Sequence, residues 1–335
     1  MGVTLKQIAE LAGVHKSTVD KVIHNRPGVS DAKRQQIRAL LDEYGYESNP
    51  LAKALNYQKK KMKVAVVLPE VDAMPDLKRG IELVKQDFNS FNIEIEYHIT
   101  AFNATEQAQV LHGLCTSGIS GAVVLPIEAP EVVREMRTLQ DAKIPVIAVN
   151  SDLYVEPYLC FVGQDMQQAA KAAARMIGLF KPEGSQLGII SSNYMRAVKQ
   201  REYSFRDSLP QLCPNIELKA STDIEEVPQK AYDGTAAFLQ QNPELDALFI
   251  TCGRVVDICR AVREQHRDMT IVCFERYDEI AELVRNGEIA CTISGDLTEQ
   301  GRAAMRFLFE YLVYDKEPAN KRTYIKNEIC IRENM

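Results

Sequence analysis

Apolar residues recur along this chain in two rhythms, and the change of rhythm divides it. Between residues 3 and 57 the spacing is helical. Leu5, Ile8, Ala9, Leu11 and Ala12 mark a short amphipathic helix with Thr4 placed to cap it. Gly13 then breaks the pattern, where a helix end needs a left-handed residue without steric cost. A second helix turns Val19, Val22 and Ile23 inward, and Lys16, Ser17, Asp20 and Lys21 share its other face. Pro27-Gly28-Val29-Ser30 leads into a third helix over 31–44, with Ser30 as N-cap, Val29 as staple residue and Ile37, Leu40 and Leu41 closing a small core. Two short helices joined by a tight glycine turn, with a polar, basic face on the second, describe a helix-turn-helix. Asn49 and Pro50 then suit the start of a brief helix, too short to be stable in water without a partner.

From Lys63 onward the rhythm is that of strands alternating with helices. Buried-strand runs fall at 64–68, 93–97, 122–125, 146–149, 187–190, 216–218, 247–250, 271–274 and 290–293. Helical stretches separate most of them, for instance 76–88, 105–116, 167–179, 229–240 and 253–265. Such alternation predicts parallel sheets covered by helices on both faces, and nine strands divide better into two lobes than into one sheet. The expected fold is α/β: an all-α head over 1–47, a hinge helix and linker over 48–62, and a two-lobed body over 63–335.

Charge sharpens this division. Residues 1–63 hold 12 Lys and Arg against 6 Asp and Glu, a net of +6, while the remainder holds 28 against 40, a net of −12. A basic head on an acidic body fits one nucleic-acid-binding end and a body that does not cling to DNA. The tract Gln58-Lys59-Lys60-Lys61 marks a solvated boundary between them. The eight cysteines are scattered singly, and none has zinc-ligand spacing with another Cys or with His, so neither a metal nor a cofactor is expected. Free thiols, together with the lack of a signal peptide, point to a reducing cytoplasm, and no apolar run approaches the ~18 residues a membrane span needs. Enzyme motifs are missing as well: there is no P-loop, no G-x-G-x-x-G and no H-E-x-x-H, and the acidic pair Glu225-Glu226 reads as solvated loop charge.

The head resembles the lactose-repressor (LacI/GalR) family of bacterial transcription regulators. The residues that carry the likeness are Val3-Thr4-Leu5, Ile8-Ala9, Ala12-Gly13-Val14, Thr18-Val19, Val22-Ile23, Pro27-Gly28-Val29-Ser30, Gly45-Tyr46 and Asn49-Pro50-Leu51-Ala52. The body is similar to the periplasmic-sugar-binding-type effector domain of the same family through Ile144-Pro145-Val146-Ile147, Val162-Gly163-Gln164-Asp165, Arg201-Glu202-Tyr203-Ser204-Phe205, Asn286-Gly287-Glu288-Ile289 and Gln300-Gly301, in that order.

The resemblance implies a homodimer on an approximately palindromic operator, with no membrane partner. Thr4, Lys16, Ser17, Thr18, Lys21, His24, Ser30 and Asn49 would contact DNA, and Leu55 on the hinge helix would wedge into the minor groove. Asp20 departs from the family's usual Ser; it can accept from a cytosine amine or pair with Lys16 one turn away. In the body the resemblance assigns Asn150, Arg201 and Glu275 to a small polar effector. Cys252-Gly253 and Gly295 stand where amide and carboxylate groups are usual, Ser151 where Arg is frequent, and Ala73-Met74 where a stacking aromatic is expected. These departures suggest a wider pocket, and Arg201 suggests a sugar phosphate or sugar acid. The competing reading of Arg201 is an interlobe salt bridge to Glu275. For the whole chain, a ligand-sensing protein whose head no longer reads DNA stays open beside the regulator.

Overall fold

Thr4 opens the head as its capping pattern requires. In the computed structural model, which describes residues 3–23, 28–44, 61–72 and 74–335, the Thr4 hydroxyl accepts from the Gln7 amide and the Gln7 side chain accepts from the Thr4 amide, closing a capping box on α1 (Leu5–Leu11). Gly13 adopts φ 62° just beyond it, and α2 (Lys16–Ile23) and α3 (Asp31–Glu43) follow. Ile8, Ala9, Ala12, Val19, Val22 and Ile37 form the buried core of the three helices, and Lys33 donates to the Ala12 carbonyl at 2.8 Å to tie α3 to the end of α1. Two details differ from expectation. Ser30 stands at the N-cap of α3 in extended backbone, yet its side chain makes no capping hydrogen bond. Leu11 is exposed, because Ala12 rather than Leu11 falls on the inward face. The head and body are separate units, Met1–Asn56 and Tyr57–Met335. His24, Asn49, Leu55 and the hinge helix expected there lie outside the described residues, as does Ala73.

The body consists of two six-stranded sheets. In the first, β1 (Met62–Pro69), β2 (Ile93–Thr100), β3 (Gly121–Val124), β4 (Val146–Val149), β5 (Cys160–Gln164) and β11 (Arg322–Ile325) run parallel in the order β11-β5-β4-β3-β1-β2. The second has the order β12-β10-β9-β8-β6-β7 and holds β6 (Ser185–Ser191), β7 (Ile216–Asp223), β8 (Ala247–Ile250), β9 (Thr270–Phe274), β10 (Cys291–Ser294) and β12 (Glu328–Cys330). Only β12 runs antiparallel to its neighbour. Helices α4 (Met74–Asp87), α5 (Ala104–Leu114), α6 (Pro130–Asp141) and α12 (Leu297–Tyr314) belong to the first lobe. The second lobe takes α7 (Met166–Phe180), α8 (Arg196–Leu212), α9 (Pro228–Gln241), α10 (Val255–Glu264) and α11 (Asp278–Arg285).

Sandwiching of this kind explains why the central strands read as continuous apolar runs. Val146, Ile147, Ala148 and Val149 are all buried, whereas the edge strand β7 alternates. The strands at 160–164, 322–325 and 328–330 are absent from the nine expected, being short or partly polar. They matter for architecture. The chain crosses between lobes after Gln164, after Ser294 and between Ile325 and Glu328, so three segments frame the crevice that the lobes enclose. Among the described residues no helix is long and apolar enough to cross a membrane.

Candidate functional site

Parallel strands deliver their carboxyl ends to one side of each sheet, and here both sets of ends face the crevice between the lobes. Asn150 follows β4, Glu275 follows β9 and Asp296 follows β10, and all three are non-glycine residues with positive φ, of 64°, 74° and 33°. Left-handed backbone of this sort is strained for residues with a Cβ and persists where surrounding contacts hold it, often at functional sites.

Helix α8 aims its first turns at the same place. Arg201 is 4% exposed, and its guanidinium lies 4.1 Å over the Phe274 ring. Its donors reach the Thr251 carbonyl at 3.2 Å, the Gln164 side-chain oxygen at 3.2 Å, the Met166 sulfur at 3.2 Å and one oxygen of Glu275. Arg201 and Glu275 are therefore paired as expected of a salt bridge, but both belong to the second lobe, so the pair is not interlobe. The other Glu275 oxygen is buried and finds no hydrogen-bond partner among the described residues. A buried carboxylate oxygen without a donor is costly, and it marks a place where a donor can be gained.

Opposite, the Asn150 amide donates to Gln300 at 3.3 Å, and Gln300 donates to the Gly295 carbonyl at 2.6 Å. Gly295 does not leave a wider pocket. A Cβ there would stand 3.0 Å from the Gln164 side-chain stem and 3.1 Å from the Gln300 amide nitrogen, so the glycine makes room for these two side chains. The same exchange occurs at Gly253, whose absent side chain leaves room for Glu226: the carboxylate accepts from the Gly253 amide at 3.3 Å and from Ser192 at 2.8 Å. Glu226 is thus not the solvated charge expected. Glu225 alone fits that description, exposed and paired with Lys230. The Cys252 thiol is buried beside the Ile190 carbonyl, and burial pushes its pKa well up, so it supplies no thiolate.

Further charged residues line the crevice that sequence reasoning did not select. Asp152 accepts from Arg196 of the second lobe at 2.9 Å and also pairs with Arg322. Ser151 accepts from the Ala197 amide across the gap at 3.3 Å. Asp72, just beyond β1, accepts from Arg254 at 2.7 Å and from the Tyr277 hydroxyl at 3.3 Å. Burial raises the Asp72 pKa above its ordinary 3.8, against the opposing pull of Arg254. A shared signal could have found these residues: nearly all stand just after a strand or at a helix start facing the strand ends. Within the crevice, a cavity lined by Asn150, Asp152, Gln164, Gln200, Arg322 and Tyr324 measures about 10 Å³, room for a single water.

The head presents a second candidate site. Lys16, Ser17 and Lys21 are exposed on α2, and Thr18 and Asp20 are half-buried beside them. Thr4 and Ser30 are exposed at the starts of α1 and α3. His15 accepts from the Ser17 amide at 3.3 Å and lies 2.9 Å from its hydroxyl, which orders the start of α2.

Comparison with known proteins matches both units. Residues 4–49 fit the family described as bacterial regulatory proteins, lacI family, and residues 64–316 fit the periplasmic binding protein domain. The HTH-type transcriptional regulator MalR of Streptococcus pneumoniae is 22% identical over 353 residues, covering 99% of this chain and 97% of that protein. Catabolite control protein A of Staphylococcus epidermidis is 21% identical over 345 residues, covering 99% of each. Among solved structures, GanP, a glucose-galactose binding protein from Geobacillus stearothermophilus, superposes with a TM-score of 0.75 at 18% identity over 83% of this chain and 99% of that one. At such identity the last likeness carries the fold alone.

Proposed function

The chain belongs to the lacI family of bacterial regulatory proteins with a periplasmic-binding-protein body, and from that premise we propose how this DNA-binding transcription regulator works. It acts in the cytoplasm as a homodimeric repressor, reads an approximately two-fold symmetric operator, and changes its hold on DNA when a small polyhydroxylated molecule enters the crevice. Lys16, Ser17 and Lys21 read or position the major groove; Thr4, Thr18, His24, Ser30 and Asn49 contact the backbone or base edges, and Leu55 is the minor-groove wedge. Linkage then requires ligand and operator to alter each other's binding by the same factor. The observation that carries this reading is the exposed polar and basic face of α2 on a helix-turn-helix, joined to a body whose strand ends converge on a polar crevice.

For the ligand, the crevice favours a neutral donor over an anion. Arg201 is neutralised by Glu275, while the second Glu275 oxygen and the Asn150 amide suit hydroxyl groups. The sugar phosphate or sugar acid suggested by an isolated arginine is therefore replaced by a neutral sugar or polyol. Selection of bound sites from random DNA tests the regulatory reading. Lys21→Ala should cost roughly 1–3 kcal/mol on the enriched site and relax preference at one position, if Lys21 reads a base. Loss of a phosphate contact at Lys16 should weaken all sequences alike and reduce the salt slope by about one. No enriched sequence for the intact protein would favour the ligand sensor with a silent head.

A further inference from the structure

At the mouth of the crevice the lobes are joined by side chains that the ligand assignment leaves unused. Asp72 projects from the end of β1 in the first lobe. One of its oxygens accepts from Arg254 at 2.7 Å and the other from the Tyr277 hydroxyl at 3.3 Å, and both donors stand at helix starts of the second lobe. The Arg254 side chain is 12% exposed, its Nε is buried without a hydrogen-bond partner among the described residues, and Glu226 lies 3.8 Å from it. A guanidinium so placed is held by carboxylates from both lobes.

Beside the Ser151–Ala197 hydrogen bond, further contacts join the lobes elsewhere. Phe102 meets Tyr194 edge-on at 5.5 Å, with the Glu128 amide donating to the Tyr194 carbonyl at 3.3 Å, and Arg196 pairs with Asp152 at 2.9 Å. The cavity of about 10 Å³ between the lobes is far below the roughly 300 Å³ of a small-molecule pocket. A sugar-sized occupant seated at that cavity has to spread the lobes, and spreading draws Asp72 away from Arg254 and Tyr277.

We propose that Asp72, Arg254 and Tyr277 form a clasp that holds the two lobes together and competes with occupancy of the crevice. The clasp belongs to one closed arrangement, so it lowers apparent affinity by the fraction of molecules it holds shut. A partly buried ion pair reinforced by one hydroxyl shifts such an equilibrium by about 2- to 5-fold. It also makes Arg254 and Asp72 selective: an occupant that offers Arg254 an acceptor and Asp72 a donor offsets the contacts it breaks, which an apolar or purely anionic molecule does not. The regulatory consequence rests on the function proposed above; the closure does not.

Hydrogen exchange on the full chain, with neither DNA nor effector added, tests the closure by itself. Asp72→Asn and Arg254→Gln should each speed exchange about 2- to 5-fold at the interlobe amides of Glu128 and Ala197. The amides of Val66, Val123 and Phe249, inside the sheets, should keep their rates and so report that each variant is folded. Because both substitutions remove the Asp72–Arg254 pair, the double variant should speed exchange by less than the product of the two single effects. Unchanged interlobe amides in Asp72→Asn would overturn the clasp, as would additive effects. Acceleration shared equally by the sheet amides would assign Asp72 to folding and overturn it too. Failure in any of these forms leaves the DNA selection experiment untouched, and failure of that experiment leaves the clasp standing.

Discussion

Arg201 shows how one residue's role depends on neighbours far away in sequence. Its charge is matched by Glu275, its edges by Thr251 and Gln164, and its face by Phe274. Removing one member of a buried pair strands the other, at a cost of roughly 3–5 kcal/mol. Arg201→Ala should therefore lower stability by about that amount, and adding Glu275→Gln should recover part of it; denaturant titrations of the two single variants and the double one would give the coupling. Equal, additive losses would mean the pair is not a unit. Asp246 offers a test by pH. Burial raises its pKa, but hydrogen bonds from Ser185, Lys181 and the Gln186 amide more than offset this, so the net shift is downward from the ordinary 3.8. A carboxylate with a lowered folded-state pKa stabilises above its unfolded value, and that stability is lost as pH falls through the folded one. Asp246→Asn should thus reduce stability at neutral pH and flatten the decline that begins near pH 3.8, as thermal midpoints across pH 2–7 would reveal.

Among elements, α4 and α12 show the closest approach. A Cβ on Gly80 would stand 1.9 Å from the Thr298 carbonyl oxygen, and one on Gly301 would stand 2.2 Å from that of Leu77. Each glycine lets the other helix's backbone into contact, and beyond them Phe88 stacks on Phe309 at 4.0 Å. Adding a methyl group must push the helices apart, since backbone cannot yield as a flexible side chain does. Overpacking of this kind costs about 1–3 kcal/mol. Gly80→Ala and Gly301→Ala should each lower the melting temperature. They should do so less than additively, because the first displacement makes room for the second. Because α12 follows the second crossover, the same variants should also disturb the placement of Gln300 against Asn150.

At the scale of the molecule, the test is whether body and head communicate. A thermal-shift screen should find its best hits among neutral sugars and polyols, since a ligand at 100 times its Kd adds ~2.7 kcal/mol of stability. A best hit among sugar phosphates whose binding survives Glu275→Gln would contradict the neutral-donor reading. On DNA, the enriched site should carry approximate two-fold symmetry, reflecting a dimer. Leu55→Ala should lower operator affinity and DNA bending together while leaving the body folded; a bend assay showing full deformation by that variant would remove Leu55 from the wedge role.

The head and the layered body were legible in the chain because their signals are local. A cap, a glycine turn and helical spacing settle α1 and α2 within a few residues, and apolar runs flanked by amphipathic helices settle which segments become buried parallel strands. Family likeness, carried by ordered motifs, was equally a property of the sequence. The crevice was not, because its chemistry is made by groups that only the crossovers bring together. Gly295 read as a lost side chain until Gln164 and Gln300 took its space, and Gly253 likewise until Glu226 did. Asp72 and Arg254, 182 residues apart, carry no mutual signal along the chain, yet they meet at 2.7 Å. Charge compensation falls off with distance in space, and spatial distance between strand ends is set by sheet order rather than by position in the sequence.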